Sequence, residues 1–213
     1  MPESIDLLNG KPDGQNSWLQ EIHHQIYNNL QSVNSLINLQ RSASKDDMEI
    51  ASLGAALRRI NAIAIAHAMH NGSTIQAGVN IKNYLKEVSV AIDILKEGEH
   101  SRVNLLMNVA DLIINPNCAI ALGIITSELL TLMAYYAEKS STRPDISLSL
   151  SFSKSQEVIE FSIVNNMAYD GIYSIIEEEK FAMHLIDIFS RQVHGHYHFM
   201  KGSVFGFILT FKL

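Results

Sequence analysis

Between Ser17 and Arg41 the chain runs without glycine or proline, and Leu19, Ile22, Ile26, Leu30, Val33, Leu36 and Ile37 recur at intervals of mostly three or four. At 3.6 residues per turn that spacing keeps one face apolar and predicts a long amphipathic helix, with Ser17 as its N-cap. A polar break, SASKDD at 42–47, precedes a second helical run from about Asp46 to His70, with Ile50, Leu53, Leu57, Ile60, Ile63 and Ala64 on one side. Two long helices joined by a short loop make an antiparallel hairpin. Each stripe is wider than one partner helix covers, so two hairpins are expected to pair as a four-helix bundle in a homodimer. Residues 1–16, polar and carrying Pro12, Gly14 and Asn16, read as a loose tail.

The pattern changes after the loop NGSTIQAG at 71–78. Asn80 caps a third predicted helix through Tyr84, Leu85, Val88 and Ile92 to Leu95. Residues 102–113, 146–152 and 158–165 read as strands, the last two with alternating apolar and polar positions and a hairpin turn at 154–157 between them. Helices are expected at about 116–139 and 174–193, and HYHFM with FGFILTFKL as a closing strand pair around Gly202. The second half is therefore α+β with a mostly antiparallel sheet. The domains divide as a tail at 1–16, a hairpin at 17–75 and a mixed domain at 76–213.

With 47% apolar and 18% charged residues, 11 glycines and 4 prolines, the 213-residue chain has a globular composition. The longest apolar runs, such as AIALGII at 119–125, are too short for a bilayer, and MPESIDLLNGKPDG lacks the features of a secretory signal. One cysteine, Cys118, cannot form an internal disulfide, in keeping with a cytoplasmic protein. A net charge of −6 without a basic face argues against nucleic acid as a partner.

Two adjacent histidines, His23 and His24, open the apolar stretch of the first helix. On a helical wheel His23 borders the apolar stripe, while His24 falls nearly opposite its centre, beside Gln20, Asn28 and Gln31. His24 should project into solvent on a rigid helix, and His23 should be half-buried. A neutral imidazole nitrogen is a usable nucleophile near neutral pH. Glu21, one turn before, and Asn28, one turn after, are candidates to orient the His24 ring. His194, His196 and His198 alternate and would share a strand face, a spacing also able to hold zinc. A solvated face accounts for them better. His67 and His70, one turn apart, read as bundle packing, and IIEEEK at 175–180 as a solvated helix start.

The stretch EIHHQIYNNLQSVNSLINLQ at 21–40 closely resembles the phospho-acceptor box of HisKA_2 sensor histidine kinases, EIHHRVKNNLQxxxSLLxLQ. RRINAIAIAHAMH at 58–70 and NIKNYLKEV at 80–88 are similar to later segments of that family. The resemblance makes His24 the phosphorylated residue. It also implies an ATPase-like α/β sandwich behind a hairpin that forms a dimeric four-helix bundle. AIALGIITSELLTLMAYYAEK and the closing GSVFGFILTFKL follow the family outline of that domain.

The nucleotide positions depart from it. The family's magnesium-binding Asn falls on Leu132, its Lys-His pair on Tyr135 and Tyr136, and its adenine-recognising Asp on Asn165. Met167, Tyr169, Lys180 and Ala182 stand where glycines would admit phosphate, and the segment between these boxes is short. Inside the acceptor box, Gln25 and Tyr27 replace basic residues. The resemblance therefore implies a histidine phosphotransferase, in plan like ChpT-like proteins, that relays phosphoryl groups between His24 and aspartates of response-regulator receiver domains. It needs no cofactor of its own, since the receiver brings Mg²⁺. A kinase with an unusual nucleotide site and a non-catalytic dimeric module that binds a regulator remain as alternatives.

Overall fold

The computed structural model describes residues 12–69, 78–92, 103–140, 143–166, 179–200 and 202–212. Helix α1 spans Pro12–Ala43 and α2 spans Asp47–Met69. Helix α1 thus begins five residues before Ser17 and takes in residues 12–16 of the expected tail. The first four N–H groups of a helix lack intrahelical partners, so a proline in the first turn sacrifices nothing. Helix α2 is capped by Asp46, whose Oδ1 accepts from the backbone N–H of Met48 at 2.8 Å. Across the hairpin the buried Asn34 donates from Nδ2 to Asn61 Oδ1 at 2.6 Å.

Strand β1 (Val79–Asn80) leads into α3 (Ile81–Val90). The Asn80 side chain accepts from the N–H of Asn83, as expected of a cap. Helix α3 ends at Val90 rather than Leu95, and residues 93–95 lie outside the described residues. The expected strand at 102–113 is two strands, β2 (Asn104–Val109) and β3 (Ile113–Ile114). Asp111 marks the break. It leaves the ladder to accept from Asn80 Nδ2 at 2.6 Å, and β3 pairs with β1 instead of continuing beside β4.

Helix α4 (Pro116–Ser140), β4 (Asp145–Ser153), β5 (Val158–Asn165), α5 (Lys180–Gln192), β6 (His196–Met200) and β7 (Phe205–Lys212) complete the fold. Residues 174–178 of the expected start of α5 are not among those described. The five-stranded sheet has the order β2-β4-β5-β7-β6, with β2 parallel to β4 and every other pair antiparallel. Ile146, Leu148, Leu150, Phe161, Ile163, Phe207 and Leu209 alternate onto its buried face. The opposite face carries serines, among them Ser149 and Ser162, whose hydroxyls meet at 2.7 Å.

The buried sheet face and α3, α4 and α5 share one core, which extends into the hairpin through Ala62 and Ala66 of α2. Over Pro116–Glu138, α4 is long and apolar enough to cross a membrane by length and composition, but it is the central helix of this core and 78% of the apolar window is buried. The single apolar runs judged too short in the sequence are joined there through Thr126, Ser127 and Thr131. Fully buried Tyr84 of α3 reaches past α4 and donates its hydroxyl proton to the carbonyl oxygen of Ala62 at 2.9 Å. Gly123 makes room for it, since a Cβ there would sit 2.0 Å from the Tyr84 oxygen. A helical hairpin followed by an α/β sandwich is the expected fold class.

Candidate phospho-acceptor site

The phase of α1 decides the site. Ile22, Ile26, Leu30 and Ile37 are half-buried on the side of α2 while Val33 and Leu36 of the expected stripe stay exposed. The 100° step between neighbours carries His24 into solvent while His23 lies half-buried at the contact with α2. The side-chain nitrogen of Asn28 lies 3.1 Å from Nδ1 of His24. A carboxamide holds a donor and an acceptor in one plane. With its nitrogen toward the ring, Asn28 donates to a bare Nδ1; after a half-turn its oxygen accepts from Nδ1–H, and Nε2 then keeps the lone pair a nucleophile needs. Of the two candidate orienting groups, Asn28 reaches the ring. Glu21 is exposed on the preceding turn and makes no hydrogen bond to it.

On the inner side of α1, Nδ1 of His23 lies 2.9 Å from Nδ1 of His67 on α2, with ring centroids 5.2 Å apart and the planes tilted by 36°. One nitrogen donates its proton and the other accepts it. Burial, and secondarily the positive charge His23 can carry, hold the His67 ring below its ordinary range. Periodicity assigns each histidine to its own helix face and says nothing of this contact. The signal available was the hairpin turn: the two residues are equally distant from Lys45, so an antiparallel hairpin closed there sets them opposite each other.

The hairpin is tied to the sandwich by a further side-chain cluster that sequence reading missed. Arg59 of α2 grips the buried Glu128 of α4 with both arms of its fork, Nε to Oε1 at 2.8 Å and Nη2 to Oε2 at 2.9 Å. The same guanidinium lies 4.9 Å from the ring centroid of Phe181 at the start of α5. Helices α2, α4 and α5 thus converge on one cation.

In the sandwich, Leu132 is buried on α4 and carries no oxygen that could ligate a cation. Tyr135 is exposed and Tyr136 half-buried; Asn165 is buried at the end of β5, Lys180 is exposed at the first position of α5, and Ala182 is buried. Met167 and Tyr169 lie outside the described residues, as does His70. The alternating histidines do not form one strand face. His196 and His198 stand exposed on β6, but His194 sits before the strand with φ 53°. The N–H of His194 bonds to Arg191 O and that of Gly195 to Ser190 O, the two-bond closure of a helix C-terminus that puts His194 in the left-handed position. The Cys118 thiol is pushed up to about 12 by burial, which leaves it protonated and unreactive.

The HisKA_2 family model, described as histidine kinase, matches residues 21–95. No curated protein matches the sequence. Among solved structures, the histidine kinase domain of the blue-light-activated histidine kinase EL346 from Erythrobacter litoralis aligns with a TM-score of 0.62 at 12% identity, over 92% of this chain and 96% of that one. The longer Erythrobacter litoralis EL346 chain aligns at 0.60 and 11% identity, over 89% of this chain and 63% of that one. At such identity the likeness is one of fold, and the fold is that of the hairpin and the sandwich together. Residues 21–95 thus match the HisKA_2 histidine kinase model, and the chain has the fold of a histidine kinase domain, hairpin and sandwich together.

Proposed function

We propose that the protein is a histidine phosphotransferase which exchanges phosphoryl groups between His24 and receiver-domain aspartates and does not phosphorylate itself from ATP. The observation that carries this reading is a pairing of presence and loss. His24 stands exposed on a long helix with Asn28 at its Nδ1, while Leu132, which the resemblance sets at the family's magnesium ligand, is buried and apolar. Magnesium holds nucleotide phosphates through oxygen ligands, so Leu132 and Ala182 do not fit a magnesium nucleotide.

The relay asks little of this chain. Nε2 of neutral His24 attacks the phosphorus of an aspartyl phosphate, and the N–P bond forms as the bond from phosphorus to the aspartate oxygen breaks. The carboxylate leaves as an anion, and the ring sheds its Nδ1 proton to water. The receiver supplies the magnesium ion and its own lysine, and no cofactor belongs to this chain. This reading places the protein in the cytoplasm as a homodimer through the hairpin.

The test is label transfer from receiver domains phosphorylated in advance with radioactive acetyl phosphate. Label should reach the parent chain, should be lost in His24→Ala and should persist in His23→Ala. The melting temperature of His24→Ala should hardly move, because an exposed residue contributes within about 0.5 kcal/mol. Calorimetry with Mg-ATP should show no heat of binding. Micromolar affinity there would restore the kinase reading, and transfer to both histidine variants at parental rates would rule out His24 as the acceptor. A parent chain that binds receivers but takes no label would favour the non-catalytic module.

A further inference from the structure

His23 and His67 are half-buried, and nothing in the phosphotransfer chemistry uses them. Yet His23 is the residue next to the acceptor, and its Nδ1 meets that of His67 at 2.9 Å across the hairpin. Adjacent residues of an α-helix turn together, so a bond that fixes the direction of residue 23 also fixes the direction of residue 24, one 100° step on. Other polar ties of the hairpin lie further along α1, Asn34 to Asn61 about three turns on and Gln40 to Glu49 about five. A tie that far away restrains the roll of α1 at the acceptor much less than one at the neighbouring residue.

We infer that His67 is a positioning residue for transfer at His24: through its hydrogen bond to His23 it sets the roll of α1, and so the direction in which the His24 ring meets a docked receiver. This rests on the phosphotransfer reading. The bond needs one nitrogen bearing a proton and one bearing a lone pair at the Nδ1 position of His67. Asparagine can supply either from about the same place, because its side chain ends where Nδ1 lies; leucine supplies neither. Geometry at the acceptor matters for a docked donor, whose phosphorus approaches from a fixed direction, and not for a small donor free to approach from any side.

The experiment compares the parent chain with His67→Leu and His67→Asn, each labelled at His24 by two donors. The first is phosphoramidate, a small molecule that phosphorylates exposed histidines without a protein partner. The second is a phosphorylated receiver domain, titrated to saturation. With phosphoramidate all three proteins should label within about twofold of each other, since each offers the same exposed ring. With the receiver, the maximal rate of His67→Leu should fall at least about fivefold while the half-saturating receiver concentration stays within about twofold, and His67→Asn should recover most of the loss. Parental receiver-driven rates in His67→Leu overturn the proposal. So does a parallel fall with phosphoramidate, which would assign the effect to ring reactivity or to loss of fold. A parent chain that labels with phosphoramidate but exchanges with no receiver sinks the phosphotransfer reading itself, and is told apart because the failure is then already in the parent.

Discussion

His24 and His23 are neighbours in the chain with opposite surroundings, and one helical step makes the difference. The side of α1 that meets α2 takes His23 into a contact with a second imidazole, where two charges cannot sit comfortably 2.9 Å apart. His67, held below its ordinary value of 6.5, binds a proton less readily folded than unfolded. Between the folded value and 6.5 the unfolded chain therefore carries more protons, and stability must fall as the pH is lowered through that window and be regained above it. Melting temperatures measured at about pH 7.5 and pH 5.5 should show a drop in the parent that is shallower in His67→Asn, where the titrating ring is gone. Equal drops in the two proteins would mean that His67 binds its proton as readily in the folded chain as in the unfolded one.

Between elements, Arg59 on α2 holds Glu128 on α4 by two charge-assisted hydrogen bonds. Glu128 is 7% exposed, so removing Arg59 alone strands a carboxylate away from water. Arg59→Met or Glu128→Met alone should lower stability by about 3 kcal/mol, near the low end for buried pairs because the arginine side chain keeps 23% of its surface exposed. With both replaced, no charge is left unpaired, and the double variant should return to within about 1 kcal/mol of the parent. Urea denaturation of the four proteins checks this. Additive losses would show that the two residues do not act as a pair. The tie was not legible in the chain, because an arginine and a glutamate 69 positions apart become partners only once α2 and α4 are packed. The helices themselves were legible, since Leu30 and Ile37 of α1 or Leu57 and Ala64 of α2 fall on one face whatever packs against them. Boundaries were less so. Pro12 looks like a breaker until it is placed in a first turn, and the apolar run at 102–113 looks continuous until Asp111 finds Asn80. The acceptor's exposure could be read from helical phase alone, whereas the His23–His67 contact needed the register of the hairpin.

For the molecule as a whole, the open question of assembly lies on α1. Trp18, Val33 and Leu36 are all exposed, and they fall within about 60° of one another around the helix. The homodimer proposed above would cover this stripe, as obligate helical interfaces commonly exceed about 2,000 Å² and survive dilution. Light scattering at low micromolar concentration should give a dimer for the parent. Val33→Asp should give a folded monomer, because it asks the interface to bury a charge while leaving the hairpin's own contact with α2 intact. A parent that is monomeric under these conditions would leave His24 on a two-helix platform.

Tyr84 passes its hydroxyl beside Gly123 into the backbone of α2, and Ala62 and Ala66 belong to the same core as the sheet. The inner side of α2 is thus finished by the sandwich. A lineage that stopped using nucleotides could let Leu132 and Ala182 drift to apolar side chains, but it could not discard the domain that holds them without laying that side of α2 open to water. Under the proposed function that half serves as scaffolding: a shared interior holds the two halves together whether or not they share a chemistry.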